Sequence, residues 1–366
     1  MGLSGNKGEW SEIYVLLYLL GTARLYSANE RLELLDENAF FQILSIFREE
    51  GKEANRKKIR YDINDVATRF VSVYVNGEHM VNLATEVLKS EAIALFDAIV
   101  SNNQGDRAFE ISSSNAILNA LNCSTLKAPS DDKTDIALKL HDFLTGYTRK
   151  CGFSIKSQLG GDPTLLNAGQ TTNFKYEIIG MTDDLAKQIN QVEGTRKIIK
   201  RLKMINSSNA KLKFCCAVNR TFSENLMLVD SRMEEIVGEI LLRFYQDRAN
   251  KCKEAVELLE EDNPLHFPRE GFYAFKFKKL LCSVALGMVP GSIWNGQDDA
   301  NGGYIIVKQD GDVLAYHLYN RNSFENYLLN NTRFETASTS RHQFGSVYNE
   351  NGKFFVDLNL QIRFIS

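Results

Sequence analysis

One stretch constrains the fold of this chain more than any other: Asp135 to Ser157, DIALKLHDFLTGYTRKCGFSIKS. Ile136, Leu138 and Leu140 alternate with Asp135, Lys139 and His141, and Phe153 and Ile155 alternate with Ser154 and Lys156. Period-two alternation on both sides of Thr145-Gly146 predicts two half-buried strands joined as a hairpin. If the turn centres on those two residues, facing residue numbers sum to about 291, which sets Asp135 opposite Lys156 and leaves Asp142 at the turn. A carboxylate on one strand and a small polar residue-x-Lys on the next suit metal-assisted phosphodiester hydrolysis. The carboxylate holds a divalent cation, while the lysine orients or deprotonates the attacking water and offsets phosphate charge. The plain alternative is the solvated polar face of an ordinary hairpin.

The hairpin resembles the PD-(D/E)XK nuclease core, with Ser154 where an acid usually precedes x-Lys and Thr134 where a proline usually precedes the Asp. Three further blocks extend the resemblance: SQLGGDPTLLNAGQTTNF directly after the hairpin, NKGEWSEIYVLLYLLG near the start, and NTRFETASTSRHQFG with LNLQIRF near the end. Together they are similar to the HpaII-type family of type II restriction endonucleases, from about residue 6 to residue 364 and least distinctly over residues 180–290. The resemblance implies an α/β fold, with a PD-(D/E)XK-type mixed sheet flanked by helices and a β-rich C-terminal segment. It also implies Mg2+-dependent, sequence-specific hydrolysis of double-stranded DNA to 5′-phosphate and 3′-hydroxyl ends, with CCGG as the leading target. A cognate DNA methyltransferase is then expected as genetic neighbour, and both monomer and homodimer stay open. Because Ser154 leaves the acidic set incomplete, a catalytically inactive, sequence-specific DNA-binding protein is the main alternative. A structural or carbohydrate-binding β protein is the third.

In the family pattern the first core helix commonly gives a glutamate to the metal, and Gly8-x-x-x-Glu12 resembles that element. Glu9 and Glu12 share a helix face that continues through Leu16, Leu19 and Leu20 into the core. Glu12 is the expected metal carboxylate and Glu9 its rival, the helix dipole accounting more readily for Glu9. Asp135, Glu12 and the Ile155 backbone carbonyl then hold Mg2+, with Lys156 and Ser154 completing the catalytic group. Gln158, Asn167, Thr171 and Asn173 lie in a glycine-containing stretch after the catalytic strand, where side-chain amides can meet adenine or phosphate. Arg341, with His342 beside it, is the candidate guanine or phosphate contact in a Ser/Thr-rich loop.

Composition agrees with this reading. The 366 residues are 44% hydrophobic and 24% charged, which reads as a folded, soluble chain with a substantial core. The best apolar run, Ile13 to Leu20, is shorter than the ~20 residues of a membrane helix and follows acids, the wrong sign for a signal peptide. Six cysteines without a C-x-x-C pair read as reduced thiols in a cytoplasm. A net charge of −3 does not exclude DNA, since binding depends on where the positive charge lies. Basic clusters at residues 56–60, 196–203 and 276–279 read first as solvated helix faces or loops.

The periodicities predict helices at residues 10–21, 37–50, 81–101 and 115–121, helical segments within 184–204 and 224–261, and an apolar helix at 273–288. Strands are expected at 173–179, 304–308 and 313–318, with a final unbroken one from Val356 to Phe364. This organisation suggests a nuclease core at 1–180, a helical region at 181–290 and a β-rich DNA-binding segment at 291–366, with one compact domain as the alternative.

Overall fold

The computed structural model describes residues 2–38, 40–51, 56–63, 69–105, 107–127, 134–143, 145–317 and 321–365. It is a mixed α/β structure of two compact units, one from residues 1–163 and 298–324 with the last residue, the other from 164–297 and 325–365. No helix among the described residues is long and apolar enough to cross a membrane.

The first unit opens with β1 (Ser4–Gly5), α1 (Lys7–Thr22) and β2 (Arg24–Ser27), followed by four strands, β3 (Phe40–Glu50), β4 (Lys57–Ile63), β5 (Phe70–Val75) and β6 (Glu78–Ala84). It continues with α2 (Thr85–Ser101), β7 (Phe109–Glu110), α3 (Asn115–Ala120), β8 (Ile136–His141) and β9 (Thr148–Ser157). The second unit holds β10 (Thr164–Leu166), β11 (Asn173–Ile179), α4 (Asp183–Asn190), α5 (Lys197–Ser207) and β12 (Lys211–Ala217), then α6 (Arg220–Val229), α7 (Met233–Tyr245), α8 (Cys252–Asp262) and α9 (Phe272–Leu286). The chain next supplies the first unit with β13 (Gly303–Val307) and β14 (Val313–His317). After α10 (Arg321–Asn330) come β15 (Thr332–Phe334), α11 (Thr339–His342), β16 (Val347–Glu350), β17 (Lys353–Asn359) and β18 (Ile362–Phe364), all in the second unit.

In the first unit nine strands form one sheet in the order β2-β14-β13-β9-β8-β3-β4-β5-β6, and β2 also pairs with β3. α1 covers one face. Asn6 caps it through a reciprocal pair of hydrogen bonds with Glu9, each 3.0 Å, so the first orphan amides of the helix are satisfied. Trp10, Ile13, Leu16, Leu17 and Leu20 are wholly buried in a core shared with Ile46, Leu138, Phe153, Ile155 and Ile305 of the sheet. The second unit has a sheet of β12-β11-β17-β16 and a smaller one of β10-β18-β15. Its interior holds Phe174, Tyr176, Phe222, Tyr245 and Phe277, with the buried Tyr176 hydroxyl donating to the Gly238 carbonyl at 2.7 Å.

Three expected elements need correction. The helix expected at residues 37–50 is replaced over its described part by the long strand β3, FFQILSIFREE, pairing with β4 along Ser45–Glu50 and with β8 along Gln42–Phe47. Its aromatic and β-branched residues suit a pleated surface, and Asp36 caps only the Asn38 amide, at 2.9 Å. The helix expected from residue 81 starts at Thr85 because Val81 and Leu83 belong to β6, facing Val73 and Val71. The final strand is broken at Leu360, whose amide donates to Thr172 (2.9 Å), so β17 joins one sheet and β18 the other. The basic run at residues 56–60 is not a helix face, since from Lys57 onward it is the first half of β4.

Where β13 meets β9, close packing requires glycine. A Cβ on Gly302 would lie 2.6 Å from the Phe153 ring and 2.7 Å from the Gly152 carbonyl oxygen. Gly302→Ala is therefore expected to cost about 1–3 kcal/mol in urea unfolding by overpacking. Gly160→Ala, where a Cβ meets nothing nearer than 3.5 Å, should be close to neutral. Equal effects at both sites would remove the packing explanation.

Candidate active site

The hairpin forms, but its register differs from the one the sequence suggested. Ile136 faces Phe153 and His141 faces Thr148, so extending the ladder sets Asp135 across from Ser154, two residues short of Lys156. The cause is the turn. The Asp142 amide donates to the Tyr147 carbonyl at 2.9 Å and the Gly146 amide to the Asp142 carbonyl at 2.8 Å, which moves the centre one residue toward the N-terminus. Gly146 takes the left-handed conformation this closure needs, with φ 70°. Asp142 does lie at the turn, its carboxylate accepting from the Thr145 hydroxyl at 2.7 Å.

The displaced register brings Asp135, Ser154 and Ile155 together. One carboxylate oxygen of Asp135, Oδ2, accepts from the Ser154 hydroxyl at 3.1 Å and from the Ile155 amide at 2.6 Å. The Asp135 amide donates to the Phe153 carbonyl at 2.9 Å. β8 begins at Ile136 while β9 runs on to Ser157, so this edge of β9 is not covered by β8 beyond Phe153. Within a strand the amide and carbonyl of one residue point to the same edge. The Ile155 carbonyl is therefore directed to the edge where the Asp135 carboxylate sits. The other edge of β9 belongs to β13, which pairs in parallel and sets Tyr304 beside Ser154 and Ile306 beside Lys156.

Lys156 is half-buried on the same sheet face as Ser154, about 7 Å farther along the strand. Its ammonium lies 5.5 Å from the centre of the buried Tyr304 ring, which rests against Phe324 at 5.1 Å, and it forms no ion pair with a described residue. Local sequence gives no sign of Tyr304, because β13 joins β9 across a long insertion. The same holds for the segment before β13: the Thr134 hydroxyl donates to the Asp299 carbonyl and the Gly152 amide to the Asn301 side-chain oxygen, both at 2.9 Å. These bonds hold the Asp135 end of the hairpin. Nearby, burial pushes the Asp298 carboxyl up, Arg321 opposing and Asp299 adding to the effect.

Glu9 is engaged by the cap of α1 and by an ion pair with Lys127 at 2.7 Å. Glu12 is half-buried on α1, against the sheet face opposite the one carrying Ser154 and Lys156. Its turn of helix is fixed by Ser11, whose hydroxyl donates to Ser157 at the end of β9 (2.7 Å). Burial works against the charge of Arg48, but Cys123, Glu50, Tyr61 and Glu12 outweigh it and hold the guanidinium above its usual value.

Among the described residues no group of three or more His, Cys, Asp or Glu could hold a metal ion. The donors present are oxygen atoms, namely the Asp135 carboxylate and the Ile155 carbonyl on one edge. That set fits a hard cation such as Mg2+, which takes one or two protein carboxylates and fills its shell with water and substrate phosphate. It does not fit a zinc site of three or four nitrogen or sulfur ligands.

The expected DNA contacts fall in both units. In the first, Gln158 is half-buried just past β9, its amide donating to the Val307 carbonyl at 2.9 Å. In the second, Asn167 is exposed and Thr171 half-buried. Asn173 is a correction. It is buried, its side chain donating to the His342 carbonyl at 2.9 Å and accepting from Asn359 at 2.7 Å, so the amide is spent inside the protein. Arg341 and His342 sit on the short helix α11, capped by Ser338, in place of the expected loop. Arg341 is exposed and forms no ion pair with a described residue, whereas His342 is half-buried.

The family described as HpaII restriction endonuclease matches residues 6–364. A curated relative, the type II restriction enzyme HpaII of Haemophilus parainfluenzae, is 40% identical over 365 residues, 99% of each chain. No solved structure matches. The chain therefore belongs to the HpaII restriction endonuclease family and is a type II restriction endonuclease.

Proposed function

We propose that the chain cuts double-stranded DNA at a specific sequence with Mg2+, on a PD-(D/E)XK-type core whose catalytic group is Asp135, Ser154, Ile155 and Lys156. The observation that carries this reading is the Asp135 carboxylate held by the Ser154 hydroxyl and Ile155 amide at the open edge of the strand that bears Lys156. Asp135 and the Ile155 carbonyl would hold the metal, with Glu12 as second carboxylate on the strength of the Ser11–Ser157 bond that lays its helix turn along the end of β9. When bound, Mg2+ offsets phosphate charge and acidifies water. Ser154 keeps the Asp135 carboxylate in one orientation without adding a second negative charge beside it. Lys156 orients the attacking water; having given up a proton to solvent it takes up that of the water, and the ammonium so formed faces the developing charge on the phosphate. Attack in line with the 3′-oxygen leaves a 5′-phosphate and a 3′-hydroxyl. CCGG is the first target to try, a cognate methyltransferase the expected genetic partner, and the cytoplasm the expected compartment.

The test is incubation of purified protein with mixed plasmid DNA, with and without Mg2+. Discrete fragments that need Mg2+ support the proposal; retarded but intact DNA would identify a binding protein without catalysis. Sequence reading is assigned to the second unit, with Arg341 as the leading contact and Asn167, Thr171 and His342 around it. Arg341→Ala is expected to cost roughly 1–3 kcal/mol of discrimination at one guanine if it reads O6 and N7, or to weaken all duplexes alike if it meets phosphate. Titrations against cognate and singly substituted duplexes separate the two. Unchanged binding would make α11 an ordinary surface turn.

A further inference from the structure

The sheet face that carries Asp135, Ser154 and Lys156 also carries a band of cations farther across the first unit. On β9, Lys150 lies six residues before Lys156, about 20 Å along the strand. Lys139 of β8 sits directly opposite Lys150, and both are exposed. Like charges facing each other across a ladder destabilise a sheet, so the pair has no structural reason to be there. Beyond them, Phe47 of β3 faces Ala137 on one side and Arg60 on the other, and Arg60 faces Tyr74 of β5, which puts all of them on this face. The Lys150 ammonium stands 4.2 Å from the Phe47 ring centre and the Arg60 guanidinium 4.4 Å from that of Tyr74, aromatic supports that fix the cations above the sheet. They line a groove of about 530 Å3 with Arg56 and Lys58.

Apart from Asp135, the acids beside these cations are paired. Glu49 pairs with Arg56 and Asp62 with Arg60, each at 3.1 Å, whereas Lys58, Lys139 and Lys150 form no ion pair with a described residue. What remains around Lys139 and Lys150 is net positive charge, on the same sheet face as Lys156 and separated from it by Gly152, Ser154 and Asp135.

We infer that this band holds the sugar-phosphate backbone of the DNA duplex, with Lys139 and Lys150 as its central phosphate contacts. The inference rests on the nuclease reading of Lys156 and deepens it, by stating where the substrate runs away from the candidate site. With an axial rise of 3.4 Å per nucleotide on one strand, Lys139 and Lys150 meet phosphates roughly six nucleotides from the one beside Lys156. They carry no sequence information and act on every duplex alike.

The experiment is equilibrium binding of short duplexes, without divalent cation, by wild type and by a Lys139→Ala/Lys150→Ala double variant over a range of salt concentrations. Two lost phosphate contacts reduce the slope of log K against log salt by about 1.8, equally for cognate and unrelated duplexes. The Lys150→Arg variant keeps the wild-type slope. The thermal midpoint of the double variant stays at or above that of wild type, because a like-charge pair has been removed. A wild-type duplex truncated inside six base pairs on one side loses the same slope. An unchanged slope in the folded double variant, or a loss confined to the cognate duplex, overturns the inference. Plasmid cleavage by wild type with no slope change leaves the nuclease reading standing and removes the track. A reduced slope without any plasmid cleavage keeps the DNA surface and removes the nuclease reading.

Discussion

Lys156→Ala is expected to reduce DNA cleavage by roughly 10²–10⁴-fold, the contribution of one positioned proton-transfer group, while leaving the protein folded and still able to retard its target duplex. The ammonium is half-buried above Tyr304 with no ion pair to a described residue, so its removal loses one long cation–π contact and little else from stability, on the order of 0.5–1 kcal/mol. The separation of a large kinetic effect from a small thermodynamic one is what distinguishes a chemical role from a structural role. Single-turnover cleavage at saturating enzyme, beside a urea unfolding curve, reads both. Cleavage within tenfold of wild type would sink the assignment. Lys156→Arg is informative as well, since guanidinium keeps the charge but does not give up a proton near neutral pH.

Asp135→Asn is expected to be inactive at any Mg2+ concentration. The carboxamide has nearly the same shape, and its oxygen still accepts from the Ser154 hydroxyl and the Ile155 amide, so the hairpin end keeps its geometry while the charge is lost. A site with one carboxylate between β8 and β9 has no replacement for that charge. Glu12→Gln should be impaired but partly restored by more Mg2+, as befits a second carboxylate. Asp142→Asn should cut normally, because Asp142 only closes the turn with Thr145. Titration of cleavage rate against Mg2+ for the three variants orders them. Activity in Asp135→Asn with loss in Asp142→Asn would mean that the catalytic carboxylate lies at the turn.

The hairpin that carries these residues was legible from alternation alone, and β11, β13, β14, α1 and α9 were too, because each has one unambiguous period. The register was not. It depends on which amide closes the turn, and a shift of one residue in the turn centre displaces the facing partner by two. β3 was misread because FFQILSIFREE satisfies a helical spacing as well as an alternating one, and only the neighbours β4 and β8 decide between them. In β4 the alternation of Ile59 and Tyr61 inward with Lys58 and Arg60 outward was hidden by its charge, which reads as a solvated helix. Asn173 carries the polarity of a ligand contact, yet burial beside Asn359 turns it into internal support. Tyr304, Asp299 and Asn301 reach the candidate site only through non-local pairing, for which a linear pattern holds no signal.

The parallel pairing of β9 with β13 has a consequence for how the enzyme is made. β13 follows β9 by about 145 residues, which at ~5–20 residues per second means roughly 7–30 s of synthesis between the strand that bears Lys156 and the one that covers its other edge. During that interval the nascent chain contains Asp135 and Lys156 but lacks Tyr304 beneath the lysine, and the bonds from Thr134 and Gly152 to Asp299 and Asn301. A ribosome that stalls within the inserted unit therefore releases a fragment with its candidate catalytic side chains unsupported. With the proposed roles of Asp135 and Lys156, the order of segments along the chain makes cutting ability one of the last properties a newly synthesised molecule acquires.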